Sequence, residues 1–245
     1  ESIKHDAIYR YAKAGAQLGP ASADFDDGDW SEVSLPHDWV PFKDFTPDAY
    51  PNHGYKKRGI GWYRIKFQLP ESDMNRQILL DFEGMSCDSQ IYFNGQLLYR
   101  NFSGYKSFTV DLTDMANFGD VPNVLAVRVD ASAWEGWWYE GAGIYRNVWL
   151  DISDAASLTR DGVFVHPERI SDGVWQMPVD VEISNDGFTV ANINVECVAR
   201  DMAGQEVARM SGDISVPARR TDTLNLTKKV LSPALWDTES PNLYT

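Results

Sequence analysis

The chain has 245 residues, enough for one large β domain or two ordinary domains with buried cores. Hydrophobic residues at 43% and charged residues at 24% are typical of a globular protein, and 9 Trp make the chain rich in aromatic side chains. A formal net charge of -14 would repel a phosphate backbone or an anionic membrane, and no run of ~20 apolar residues is present. Nucleic-acid binding and a membrane span are therefore disfavoured.

Strand patterns follow one another through the first half of the chain. β-branched and aromatic residues, much of them in alternation and bounded by Gly, Pro, Asn and Asp, predict strands at 61–70, 77–85, 89–100, 106–113 and 123–131. Within 89–100, the pair Asn94-Gly95 supplies the two positive-φ positions of a type I′ hairpin turn.

Shorter strand patterns continue from about Leu158 to the end of the chain. The segment 151–162, DISDAASLTRDG, is polar and weakly periodic, and we place a domain boundary there. The predicted domains are 1–155 and 156–245. Regular short strands without apolar runs of helical period predict an all-β protein built of β-sandwiches.

Residue types for metal or nucleophilic chemistry are sparse. Cys87 and Cys197 each lie in a strand-like run and are far apart in sequence, so we predict two buried thiols rather than a disulfide. The four His residues are scattered without metal-type spacing, and His37 is expected to form structural hydrogen bonds. The sequence thus predicts no metal and no cofactor.

Six motifs of the chain occur in the same order in glycoside hydrolase family 2. They are SLPHDW (34–39), GIGWYRIKF (59–67), DFEGMSCDSQIYFNGQLL (81–98), NVLAVRVD (123–130), GAGIYRNVWL (141–150) and LWDTESPNLYT (235–245). From Phe25 onward the chain therefore resembles this family, which includes β-galactosidases, β-glucuronidases and β-mannosidases. The resemblance implies a galactose-binding-like jelly-roll β-sandwich and then a partial immunoglobulin-like β-sandwich, with the second domain incomplete at its C-terminus.

In that family both catalytic glutamates lie in a (β/α)₈ barrel that follows these two domains. The resemblance implies that the chain is a non-catalytic N-terminal portion of a retaining β-galactosidase-like enzyme, with a β-glycoside and its own barrel domain as partners. By itself the chain is expected to hydrolyse no glycoside. A free-standing carbohydrate-binding module is the alternative. The compartment stays open, and the relation to polysaccharide-degrading enzymes favours a periplasmic or secreted location.

The loop 42–59, FKDFTPDAYPNHGYKKRG, is long, polar and aromatic and has no strand pattern. Long irregular loops in compact domains are usually functional or disordered. In the family the corresponding loop can reach the rim of the active site, which implies Asp48 and Asn52 as substrate contacts. A mobile loop without substrate contact is the alternative.

The segment WEGWWYE (134–140) also approaches the barrel in the family, directly before the GIYR-type motif. Sugars stack their C–H faces on indole rings, and carboxylates accept hydrogen bonds from hydroxyl groups. The substrate-binding residues implied here are Glu135, Trp137, Trp138 and Glu140. We expect 134–140 to be exposed in the isolated chain and 141–150 to build the fold, with Trp149 in the core of the last strand.

Overall fold

The computed structural model of the protein describes residues 19–133 and 140–245, together with the backbone of residues 2–4. In this part of the chain the elements are β-strands joined by loops and by 3-10 turns at Gly19–Ala21, Pro51–His53, Glu71–Asp73 and Thr113–Met115. The strands are β1 (Ser2–Lys4), β2 (Ser31–Glu32), β3 (Ile60–Phe67), β4 (Gln77–Phe82), β5 (Asp88–Phe93), β6 (Gln96–Asn101), β7 (Phe108–Asp111), β8 (Asn123–Asp130), β9 (Val148–Ser153), β10 (Ala156–Val165), β11 (Glu168–Ser171), β12 (Val174–Asn185), β13 (Ala191–Arg200), β14 (Glu206–Val216) and β15 (Arg220–Leu231).

The chain divides into two compact units, Glu1–Ile152 and Ser153–Thr245. The first unit contains a six-stranded sheet in the order β2-β1-β3-β8-β5-β6 and a three-stranded sheet in the order β7-β4-β9. Apolar side chains from β3, β5 and β8 and from β4 and β7 form one buried cluster. The first unit is therefore a β-sandwich with its core between the two sheets.

Burial along the strands explains which residues fill this core. In β5 the side chains alternate between half-buried and buried, as expected for a strand that turns one face inward. In β8 burial is nearly continuous. The reason is a second small cluster, in which Ala21 and Trp30 pack with Trp62 of β3 and Ala126 of β8 on the other face of the sheet.

Arg64 forms hydrogen bonds with the segment 20–27, which contributes Ala21 to this second cluster. Its guanidinium is 1% exposed, and it donates hydrogen bonds to the carbonyl oxygens of Pro20 at 2.6 Å and Ser22 at 2.7 Å. Its Nε donates to Asp27 Oδ2 at 2.9 Å. Burial acts to raise the pKa of the Asp27 carboxyl, but the hydrogen bond from Arg64 and the charge of Lys66 outweigh it and lower that pKa.

The second unit is antiparallel as well. Strand β12 pairs along its whole length with β15 on one side and with β10 and then β11 on the other, while β13 and β14 form a separate hairpin. Val179, Val181 and Ile183 of β12 pack with Met210 of β14 and with further side chains of β13 and β15. The predicted all-β fold with β-sandwich units is therefore confirmed.

The hairpin predicted at Asn94-Gly95 is also confirmed. Strand β5 ends at Phe93 and β6 begins at Gln96, and the two residues between them have φ of 50° and 84°. These angles match the pair of positive-φ positions that a two-residue hairpin turn requires.

Two predictions in the 141–162 region are wrong in part. Most of the supposed polar break at 151–162 lies in β9 and β10, because a bulge with Asp161 at φ 55° interrupts the pairing of β10 with β12 and obscures the alternation. Trp149 is 53% exposed on β9 rather than in the core. Its indole Nε1 instead donates to Glu83 Oε1 at 2.9 Å.

Both cysteines are free thiols, as predicted. Cys87 is buried, whereas Cys197 in β13 is only half-buried, so the prediction of burial holds for the first and not fully for the second. Partial burial raises the pKa of the Cys197 thiol.

Candidate functional site

The loop 42–59 has a defined shape in the structure. It folds back on itself, because Phe45 and Lys56 form an isolated antiparallel bridge and the amide of Thr46 donates to the carbonyl of Tyr55 at 2.8 Å. The Lys56 ammonium lies 4.7 Å from the centre of the Phe45 ring. The loop thus presents Phe45, 74% exposed, on a folded support.

Asp48 lies on the outer side of this loop. Its Oδ2 is 2.6 Å from Lys57 Nζ, and Thr46 Oγ1 donates to its Oδ1 at 2.6 Å. The hydrogen bonds from Lys57 and then Thr46 lower the pKa of Asp48 to about 2, so the carboxylate is ionised at neutral pH. Asn52 lies half-buried in the 3-10 turn Pro51–His53. Both residues that the sequence singled out in this loop are therefore on one turn-rich stretch.

Arg58, at the end of the same loop, contacts both flanks of the segment 134–139. Its Nη1 donates to the carbonyl oxygen of Ala133 and to Glu140 Oε2, each at 3.4 Å, and its Nη2 donates to the carbonyl oxygen of Gly141 at 3.2 Å. Only 3% of the Arg58 side chain and 6% of the Glu140 side chain are exposed. One planar guanidinium therefore joins the two stretches that the sequence predicted separately as substrate contacts.

The register of the six-stranded sheet explains this contact. In the antiparallel pairing of β3 with β8, Ile60 lies opposite Asp130, and the amide of Ala131 donates to the carbonyl of Gly59 at 2.9 Å. The start of β3 therefore meets the end of β8, and Arg58, two residues before β3, reaches the chain that leaves β8.

Glu140 is buried, so the prediction that 134–140 is exposed is wrong at this residue. Its second oxygen, Oε1, accepts a hydrogen bond from the Tyr105 hydroxyl at 3.2 Å. Because Arg58 and Tyr105 contact the two oxygens of the carboxylate, Glu140 acts as an internal link in the folded chain. Tyr105 itself is 75% exposed.

The chain after Glu140 is held in a tight groove. Asp38 Oδ1 accepts hydrogen bonds from the amides of Val40 at 2.8 Å and Ala142 at 3.0 Å. A Cβ on Gly141 would collide with Asp38 Oδ2, so a larger residue there would displace the Asp38 carboxylate. Gly143, at φ 128°, exchanges backbone hydrogen bonds with Ser86. These contacts fix the position of residues 141–143.

His37 has the structural role that the sequence suggested. Its Nδ1 lies 3.0 Å from the Tyr63 hydroxyl, and its amide donates to the carbonyl of Ile144 at 2.7 Å. This pairing places the PHDW motif alongside residues 142–144.

Three of the residues predicted as substrate contacts, Glu135, Trp137 and Trp138, lie outside the described residues. Sequence reasoning missed Arg58, Tyr105 and Asp38, which build the surroundings of Glu140. Arg58 closes the basic run KKR before a strand, and Tyr105 is an aromatic residue in the polar turn FSGYKS. Those two signals could have marked them, and Asp38 lies in the motif SLPHDW, which marked the segment but not this side chain.

Two apolar clefts are not lined by Arg58, Tyr105 or Glu140. In the first unit a cleft of about 330 Å³ is lined mainly by core side chains of β3, β4, β8 and β9. In the second unit a cleft of about 280 Å³ is lined by apolar residues that include Trp175, Trp236 and Tyr244. Within 19–133 and 140–245, no group of three or more His, Cys, Asp or Glu residues is placed to hold a metal ion. None of the helices found in these ranges has the length and apolar character to cross a membrane.

Comparison with known proteins places these features in context. The sequence profile of "Glycosyl hydrolases family 2" matches residues 159–245. The chain is 35% identical over 236 residues to the β-galactosidase BoGH2A of Bacteroides ovatus, a match that covers 94% of this chain and 27% of the relative. It is 28% identical over 244 residues to a β-glucuronidase of Formosa agariphila, covering 90% of this chain and 25% of that enzyme.

Solved structures give the same result. A family 2 glycosyl hydrolase member from Bacteroides cellulosilyticus superimposes with a TM-score of 0.87 at 26% identity, over 99% of this chain and 31% of that one. The β-glucuronidase of Bacteroides uniformis superimposes with a TM-score of 0.82 at 26% identity, over 99% of this chain and 28% of that one. The chain thus spans about a quarter to a third of the relatives that it matches.

Proposed function

We propose, from the premise that this chain is related to the family 2 glycosyl hydrolases along nearly its whole length, that it is the non-catalytic N-terminal portion of such an enzyme. Its role is to buttress a catalytic barrel and to contribute side chains to the pocket for a β-glycoside. The relatives named above include one β-galactosidase and two β-glucuronidases, and the higher identity to the β-galactosidase favours that substrate class.

One observation carries this proposal. Arg58 comes from the first of the two segments predicted to meet substrate and contacts both flanks of the second. The two predictions were made separately, from stretches about eighty residues apart in sequence. Their meeting at one guanidinium supports a shared surface, formed by the loop 42–59 and the segment 134–140.

The chemistry of this surface suits a sugar. Asp48 is an ionised and exposed carboxylate that can accept hydrogen bonds from hydroxyl groups, and Asn52 adds an amide. We keep Asp48, Asn52, Glu135, Trp137 and Trp138 as proposed substrate contacts. Glu140 is instead assigned to the support of the surface, since both its oxygens face protein groups.

The test uses the protein with all the sequence that its reading frame encodes. Hydrolysis of chromogenic β-galactoside, β-glucuronide and β-mannoside is measured for the wild type, Asp48→Ala and Trp137→Ala. Both variants should lower kcat/KM without lowering the midpoint of thermal unfolding. Phe188→Ala is the control, because Phe188 is 85% exposed in the second unit and should leave kcat/KM unchanged.

The 245-residue chain should be assayed beside it. We expect no hydrolysis and no measurable sugar binding by this chain alone. Sugar binding without hydrolysis would favour the alternative, a carbohydrate-binding module. Unchanged kcat/KM in both variants of an active protein would refute the contribution to the pocket.

A further inference from the structure

Tyr105 is a solvent-exposed aromatic residue beside the Arg58–Glu140 pair. The residue is 75% exposed, yet its hydroxyl donates to Glu140 Oε1 at 3.2 Å and its amide donates to Ser103 Oγ at 3.3 Å. The ring is therefore held at its tip, and the backbone that carries it is held by Ser103, while most of the residue's surface stays accessible. Packing does not account for this arrangement, because an exposed ring removes little apolar surface from water.

A chain of contacts leads from the interior of the unit to this ring. Arg58 is buried and binds Glu140, and Glu140 in turn accepts the hydrogen bond from Tyr105. A buried carboxylate is costly unless it is paired and hydrogen-bonded, so the fold keeps Glu140 in one place. The position of the ring is thereby set before any ligand arrives.

A ring fixed in advance is suited to bind the apolar face of a sugar. Stacking on an aromatic side chain usually requires that side chain to lose rotamer freedom, at about 0.5–1.5 kcal/mol. At Tyr105 the hydrogen bond from the hydroxyl to Glu140 already restricts the side-chain rotamers. Its place next to Glu140 also puts it at the edge of the surface proposed above.

We propose that Tyr105 is a stacking platform for a sugar ring of the β-glycoside, an inference that rests on the proposed function. The ligand class is a pyranoside that presents its C–H face to the phenol ring. The role adds a specificity-determining residue to the pocket and does not involve proton transfer.

Phe102 provides a matched control in the same loop. It is 67% exposed, but the Arg100 guanidinium lies 4.4 Å from the centre of its ring and occupies one face. A substitution at Phe102 therefore removes a comparable exposed ring without touching the contacts of Glu140.

The experiment measures kcat, KM and inhibition by the monosaccharide product for the protein with its complete encoded sequence. Tyr105→Ala should raise KM and the inhibition constant about tenfold, with kcat nearly unchanged, since aromatic contacts of this kind are worth up to about one factor of ten. Tyr105→Phe keeps the ring but releases its tip, and should raise KM about two- to threefold. Phe102→Ala should match the wild type in KM and in unfolding midpoint. Both Tyr105 variants should lower the midpoint to a similar extent, because Glu140 Oε1 loses its donor in each, so the kinetics are measured well below that midpoint and the difference in KM between Tyr105→Ala and Tyr105→Phe reports on the ring itself.

The outcomes separate this inference from the proposed function. If the wild type hydrolyses a β-glycoside but Tyr105→Ala has the same KM as Phe102→Ala, the stacking role is refuted and the proposed function stands. If Tyr105→Ala changes kcat and leaves KM intact, the role as a binding platform is likewise refuted. If the wild type neither binds nor hydrolyses any β-glycoside, both proposals fall together.

Discussion

Lys57 and Arg58 are neighbouring cations in the loop 42–59, and each forms an ion pair. Comparing the two pairs tests how burial changes the contribution of an ion pair to stability. Lys57 and Asp48 are 2.6 Å apart, but their side chains are 58% and 66% exposed. Arg58 and Glu140 are 3.4 Å apart, and their side chains are 3% and 6% exposed. By distance alone the first pair is stronger, whereas solvent screening predicts that it contributes little to stability.

Removing the buried cation should be far more damaging. Arg58→Met leaves the Glu140 carboxylate buried without its cation and leaves the carbonyl oxygens of Ala133 and Gly141 without this donor. Loss of one partner from a buried pair costs about 3–5 kcal/mol. Adding Glu140→Gln in the Arg58→Met background removes the unpaired charge and should recover about 1–3 kcal/mol of that loss.

Urea denaturation of the 245-residue chain measures these changes. Near-ultraviolet circular dichroism reports mainly on the first unit, since most of the tryptophans lie there. The quantity compared is the urea midpoint of the wild type, Arg58→Met, the double variant and the control Lys57→Met. A difference in midpoint reports a difference in stability when the slope of unfolding free energy against urea concentration is the same. The reasoning is refuted if Arg58→Met destabilises the first unit no more than Lys57→Met does.

Three further predictions follow from single contacts. Gly143→Ala should destabilise the first unit by roughly 2 kcal/mol or more, because Gly143 has φ 128° and an added Cβ would collide with neighbouring oxygens. At Gly104 the nearest neighbour of an added Cβ would be 3.4 Å away, so Gly104→Ala should be nearly neutral in the same denaturation experiment. The pKa of Asp48, measured by NMR titration, should be about 2 and should rise toward 3.8 in Lys57→Met. Because the pKa of Asp48 is lower in the folded than in the unfolded chain, its ionised carboxylate contributes a small stability that is present above about pH 4 and lost as the pH falls toward 2. Arg64→Met should cost about 3–5 kcal/mol, seen as a lower urea midpoint, because it leaves several carbonyl oxygens without their donor and leaves the partly buried Asp27 carboxylate with Lys66 as its remaining cation. A midpoint within error of the wild type would contradict that role.

Local patterns in the sequence determined the elements of this protein. Alternation of apolar residues predicted strands β3 to β8 of the first unit to within a few residues, and Asn94-Gly95 predicted its hairpin turn, because both depend only on residues close in the chain. The ordered motifs predicted the relation to family 2 glycosyl hydrolases, which the comparisons support. The local signal failed at β10, where a bulge breaks the period of two.

Only the tertiary structure decided the surroundings of Glu140. Arg58 and Tyr105 are 82 and 35 residues away from it in sequence. Arg58 meets it because β3 pairs with β8 in one register, and Tyr105 reaches it from the loop between β6 and β7. No local pattern encodes that register, which depends on how two sheets close over a common core. A glutamate in an aromatic stretch is typical of an exposed binding surface, and its burial here follows from a guanidinium that the fold brings to it from another loop.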